Sequence, residues 1–202
     1  MPHDPLHPLA SDATPDAGDT DLRAALAAYA ETWPDEAQTV AHFIELLDEG
    51  GHAFVRERVA GHLTASAWLV DRSGARALLT HHRKLGMWLQ LGGHADGDRT
   101  LPRVALKEAE EESGLSGLTL PSEAIFDLDR HWIPARTDVP AHWHYDVRYV
   151  VRAGENEAYA VSEESLDLAW RPIETLAHDD GADASVRRMA RKWLQDAARL
   201  HP

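Results

Sequence analysis

Cysteine is absent from the 202 residues, so no disulfide framework can hold this fold and packing must do so alone. Positive charge is scarce: 20 Lys and Arg stand against 34 Asp and Glu, a formal net charge of −14. That balance argues against nucleic-acid backbone or an anionic membrane as a standing partner. Small phosphate-bearing molecules stay open, because bound divalent cations would screen the acids locally. Lysine occurs only at positions 84, 107 and 192. No apolar run approaches the ~20 residues that a membrane span requires. No secretory signal pattern opens the chain, and the expected location is the cytoplasm. The length suits one domain with a full core.

The chain's most concentrated feature is an acidic run, Lys107-Glu108-Ala109-Glu110-Glu111-Glu112-Ser113-Gly114-Leu115. Pro102 near its start, good helix formers within, and Gly114 just past its end predict a helix over 102–113. At helical spacing Glu108 lies one turn from Glu111 and Glu112, so three like charges share a face. Each such pair costs a few tenths of a kcal/mol, and the helix dipole disfavours anions in the last turn. A divalent cation on that face would relieve both penalties, and hard Mg²⁺ or Mn²⁺ suits all-carboxylate ligands. On charge alone, a solvated acidic face explains the run equally well.

The surroundings add weight. Anchored on Gly93, the chain reads Glu108-Ala109-x-Glu111-Glu112-x-Gly114-Leu115 at the spacing of the Nudix box, and the segment resembles that family's signature. Two positions depart from it: Arg99 stands where an acid is expected, and Lys107 where the family has arginine. Asp98, in the turn Asp96-Gly97-Asp98, can play the part of the upstream acid with one extra residue before the helix. The run Gly92-Gly93-His94-Ala95-Asp96-Gly97-Asp98 is similar to the turn of one bacterial Nudix subgroup. The resemblance spans roughly residues 52–178 and implies an α/β/α sandwich with a mixed sheet. It also implies hydrolysis of a nucleoside diphosphate linked to a second moiety, by water attack on phosphorus, with Mg²⁺ or Mn²⁺ as cofactor.

Carried onto this sequence, the resemblance makes Glu108 and Glu112 the first choice as metal ligands, with Glu111 as a third ligand or the base. Glu110 points off that face. Lys107 takes the place of the arginine that positions the glutamates, with a point charge instead of a planar fork. Gly92 and Gly93 form a loop whose backbone can approach metal or substrate closely. Some relatives take their base from a loop near the last strands, where Glu163 and Glu164 are the matching residues. A catalytically weakened domain that binds a nucleotide as a sensor is the second reading, kept open by Lys107 and Arg99.

Around this centre, residues 1–20 read as a flexible, Pro-rich acidic tail, and 21–51 as two helices with Pro34 opening the second. These helices pack on the catalytic domain or form a homodimer interface. Residues 52–202 hold the catalytic domain and a C-terminal helix. Strands are predicted over 64–71, 76–81, 87–91, 118–120, 124–129, 145–152 and 166–170, with helices over 172–177 and 184–200. His142 and His144 alternate onto one side of a strand, where with Asp146 they can line a pocket. No third ligand accompanies them at a helical spacing, so contact with phosphate or base is favoured over zinc. His94, beside Gly93, is expected to face substrate. Asp98 and His144 complete the substrate-side candidates. Trp68, Trp170 and Trp193 fit core positions, and Trp88, Trp132 and Trp143 either pack or stack on a base.

Overall fold

The computed structural model describes residues 17–50, 52–83, 85–137, 139–161 and 165–200. The expected tail falls almost wholly outside them. Seven strands form one mixed sheet: β1 (Gly61–Val70), β2 (Arg76–His82), β3 (Met87–Leu89), β4 (Leu91–His94), β5 (Asp127–Ile133), β6 (His142–Arg152) and β7 (Ser165–Pro172). Its main path runs β3-β2-β1-β6-β5, with β4 against β1 and β7 against β2. The β1–β6 pair is parallel and the others are antiparallel. β1 changes partner along its length, pairing β4 through 64–67 and β2 only at Val70. The sheet therefore splits beyond β1, and β4 lies alongside its first half.

Helices cover both faces, as expected for an α/β/α sandwich. On one face lie α1 (Ala17–Thr32), α2 (Ala37–Asp48) and α3 (Leu101–Ser113). Their Leu26, Phe43, Leu46 and Leu101 bury against Leu63, Ala65, Tyr145 and Val147. On the other face lie α4 (Ile173–His178) and α5 (Ala184–Leu200), which bury Ile173, Val186 and Met189 against Trp68, Val70 and Phe126. The alternation of β1 explains the division, since 63, 65, 67 and 69 face one layer and 62, 64, 66 and 68 the other. None of the described helices is long and apolar enough to cross a membrane.

The first two helices settle against this domain through more than apolar contact. Tyr29 donates to Glu36, and Lys192 of α5 reaches Glu36 at 2.6 Å and Asp127 of β5 at 2.7 Å. Asp127 is fully buried and also holds Arg148 at 3.0 Å and Arg188 at 2.7 Å. Edge strand β5 is thus clasped by α1 and α5 through one buried ion cluster. Burial alone would raise the Asp127 carboxyl, but Arg188, Arg148 and Lys192 outweigh it and hold it below the ordinary range. Asp129 behaves alike: burial opposes ionisation, and His131, Arg148 and Arg188 overcome it.

A pH dependence follows. Carboxyls depressed in the fold contribute stability that is complete above their unfolded pKa of about 4 and drains away as pH falls below it. Urea midpoints should stay level from pH 7 to about 5 and fall below about 4, with a shallower fall in Asp127→Asn. An equal acid slope in the variant would remove Asp127 from the account.

Four sequence expectations change. The strand expected over 124–129 runs instead over Asp127–Ile133. Residues 118–120 form no strand, only a bridge from Thr119 to Arg152. The run 87–91 breaks at Gln90 into β3 and β4. The pair Gly92-Gly93, expected as a loop, lies inside β4 opposite Ser66 and Ala65.

Candidate active site

Helix α3 starts at Leu101 with Pro102 in its first turn and ends at Gly114, whose φ of 66° is the left-handed cap that glycine adopts without strain. Its buried side is Leu101, Val104, Ala105 and Ala109, which pack it on β1 and β4 and aim the glutamates along β4. The Glu112 Oε1 accepts a hydrogen bond from the Gly92 N–H at 3.0 Å. Glu108 is pressed against Gly93, where an added Cβ would stand 2.5 Å from its carboxyl carbon. Glycine in mid-strand here marks a close approach, with carboxylates occupying the space a side chain would take.

Lys107 lies beside them, its Nζ 3.3 Å from Glu111 and 3.9 Å from Glu108. The hydrogen bond to Glu111, then the charges of Glu108 and Glu111, raise its pKa. One ammonium therefore spans two of the three acids, at an exposed position where it offsets only part of their repulsion. Glu111 is exposed. Asp98 has both oxygens engaged, Oδ1 by the Thr100 N–H at 2.9 Å and Oδ2 by Arg103 at 2.7 Å. It fixes the entry to α3. Arg99 lies over the Phe54 ring, 4.9 Å from its centroid. Arg56 grips Asp96 through two hydrogen bonds, one at 2.6 Å, and so secures the turn before the helix. Glu163 and Glu164 lie outside the described residues.

The donor set fits a hard divalent ion: carboxylate oxygens from one helix face beside a side-chain-free strand backbone. Gly93→Ala tests this packing. The new methyl must displace the Glu108 carboxylate, a mobile group, so stability should change little while activity drops by roughly tenfold or more. Unchanged kcat/KM would show that Glu108 can move freely.

Across the sheet, strand alternation turns His94 away from Glu108 and into a cluster of histidines. His94 lies with its ring centroid 5.1 Å from His62 and 5.0 Å from His144. His62 and His144 stand side by side in the parallel β1–β6 register, and His142 follows two residues before His144. The expectation that His142 and His144 lack a third partner is therefore corrected. His62 supplies it from the neighbouring strand, and one ring nitrogen from each of the three lies within 4.8 Å of the others. Burial first, and neighbouring charges second, lower the pKa of His94 to about 4 and that of His144 further. Both rings are neutral at pH 7.

Below the histidines, Asp146 is consumed structurally. It accepts from Thr64 and Ser66 at 2.9 and 2.7 Å on one oxygen, and from Arg148 and Gln90 at 2.7 and 3.1 Å on the other. It does not line an open pocket with His144. Trp143 is covered by the Arg130 guanidinium, 4.0 Å from its centroid, and Trp132 packs edge-on against it. A cavity of about 350 Å³ opens beside them, lined by Trp143, Arg130, Arg188 and Glu36 among others. None of the α3 carboxylates borders it. Trp88 stacks on His81 at 5.0 Å.

Residues 61–193 match the family model described as the NUDIX domain. Among solved structures, a NUDIX-family hydrolase from Clostridium perfringens is 24% identical with a TM-score of 0.53, over 67% of this chain and 97% of that one. The MutT protein from Methanosarcina mazei Go1 is 16% identical with the same TM-score of 0.53, over 69% and 97% of the two chains. These likenesses concern the fold. Among curated proteins, no sequence matches this chain.

Proposed function

This chain belongs to the Nudix family of hydrolases, and we propose that it cleaves the pyrophosphate linkage of a nucleoside diphosphate derivative with Mg²⁺ or Mn²⁺ as cofactor. The observation that carries this reading is the pairing of Glu112 and Glu108 with the Gly92-Gly93 backbone. Glu108 and Glu112 would hold the metal, with Glu111 as a further ligand or as base. A bound divalent ion would gather the phosphate oxygens and offset charge developing on the leaving group.

The chain's own residues supply the rest. Gly92 orients Glu112 through its N–H, and Lys107 draws Glu111 and Glu108 toward one another. Glu111, or Glu164, accepts the proton of the attacking water. The water oxygen forms the new bond to phosphorus as the bridging P–O bond breaks, and the bridging oxygen leaves on the second phosphate. His94 and His144, expected to face substrate, lie on the opposite face of the sheet from these carboxylates, so substrate held at α3 is bound without them. Asp98 contributes by fixing the turn. In this reading residues 52–202 form the catalytic unit, the helices at 21–51 buttress its β5 edge, and the protein works in the cytoplasm on a small nucleotide derivative.

The test is a panel of nucleoside diphosphate derivatives incubated in ¹⁸O-water with Mg²⁺ or Mn²⁺. One ¹⁸O atom should enter a phosphate product, with nucleoside monophosphate released. A ligand that raises the melting temperature with no labelled product would favour the sensor reading instead. Lys107 bears on the same choice. Lys107→Met should weaken metal binding by about 10- to 100-fold, the usual range for a group that orients ligands. Lys107→Arg should retain or improve it. Equal affinity in all three forms would show that Lys107 orients nothing.

A further inference from the structure

His62 and His142 each direct Nδ1 at a backbone carbonyl, of Arg58 at 3.4 Å and of Pro140 at 2.8 Å. A carbonyl only accepts, so each Nδ1 carries the proton and each Nε2 keeps its lone pair. This second contact is the one that orients histidine ligands in metal sites. His142 Nε2 lies 3.1 Å from His144 Nε2, close to the roughly 3.3 Å between neighbouring nitrogens bound to one tetrahedral zinc at about 2.0–2.1 Å. His62 is 3% exposed, and its buried Nε2 has no hydrogen-bond partner among the described residues.

We propose that His62, His142 and His144 form a binding site for a borderline transition-metal ion of the Zn²⁺ or Co²⁺ type, distinct from the carboxylate site on α3. The alternative is a hydrogen-bonded histidine cluster, in which the His144 Nε2–H donates to His142. That arrangement leaves the His62 nitrogen buried and unpaired, with its desolvation uncompensated. A metal ion occupies all three lone pairs together. The fold supplies the geometry through two regularities: residues two apart on β6 share a face, and the parallel register sets His62 beside His144. Three imidazoles select against Mg²⁺ and for Zn²⁺, Co²⁺, Ni²⁺ or Cu²⁺. The fourth position falls to water or to His94, whose ring lies 5.0 Å from that of His144. Because Gly93 and His94 present opposite faces of β4 and Glu108 packs on the Gly93 face, the two sites lie on opposite sides of the strand.

The experiment is titration of the metal-free full-length protein with Co²⁺ in excess Mg²⁺, read by visible absorption, followed by displacement with Zn²⁺. One equivalent of Co²⁺ should give the intense spectrum of a tetrahedral site and lose it to Zn²⁺. His144→Gln should weaken Co²⁺ binding by at least about tenfold, and His62→Gln likewise. Circular dichroism checks folding in both, and the half-exposed His144 keeps the test available if His62→Gln unfolds. Glu112→Gln should leave the Co²⁺ spectrum unchanged. Absence of the spectrum in folded wild type would overturn the proposal, as would its survival in His144→Gln or its loss in Glu112→Gln.

Discussion

Glu112→Gln should lower kcat by roughly 10³-fold, within the range attached to removing a positioned carboxylate or a charge-stabilising group, and should leave the fold slightly more stable. The substitution keeps the shape of the side chain, and an amide oxygen can still accept the Gly92 N–H. What it removes is one negative charge from a helix face that carries three. In the metal-free protein that charge repels Glu108 one turn away and opposes the helix dipole. Its loss should gain a few tenths of a kcal/mol. In the proposed mechanism the same charge would be a metal ligand, and its loss would remove attraction at the reacting centre. Activity and metal-free stability therefore move in opposite directions. Thermal melts in chelator beside steady-state rates in Mg²⁺ check this. A parallel fall in both would mean that Glu112 is a structural group.

Asp127→Ala should be strongly destabilising, at about 3–5 kcal/mol, the cost of removing one partner from a buried ion cluster. Asp127 is the common acceptor for Arg148, Arg188 and Lys192. Arg148 is 2% exposed on its side chain and keeps Asp146 and Asp129, and Lys192 keeps Glu36 and the Tyr29 hydroxyl, but each loses its shared buried acceptor. For a chain of this length such a loss should lower the melting temperature by roughly 10 °C or more. Because Glu36 and Tyr29 join the cluster from the N-terminal helices, protease cleavage near residues 33–36 should appear at lower temperature than in wild type. A loss below about 1 kcal/mol would place Asp127 among ordinary surface pairs.

The acidic helix was legible because its boundaries and its chemistry are both local. Pro102 and Gly114 bracket it, and the spacing of Glu108, Glu111 and Glu112 follows from 3.6 residues per turn. The strands of alternating or apolar character, β1, β2 and β6, were legible for the same reason. Gly92 and Gly93 misled because glycine signals a turn by itself. Only the packing of Glu108 and Ser66 against them explains glycine in a paired strand.

The histidine cluster was half legible. His142 and His144 sit two apart on a strand, which local reasoning reads, whereas His62 joins them through a parallel register with His144 across 81 intervening residues. No single-chain periodicity reports such a register. The strand expected from residue 64 starts at Gly61 in the structure, so His62 fell outside the predicted element. The Asp127 cluster was hidden likewise, since α1, β5, β6 and α5 contribute to it from distant stretches.

The central claim is that Glu108 and Glu112 gather a hard divalent cation for hydrolysis. The most direct measurement is Mn²⁺ binding by electron paramagnetic resonance, on wild type and on Glu108→Gln/Glu112→Gln, with nucleotide release followed on the same samples. The account predicts bound Mn²⁺ and turnover in wild type and the loss of both in the double variant, which should remain folded. Undiminished Mn²⁺ binding and turnover in the double variant would contradict it.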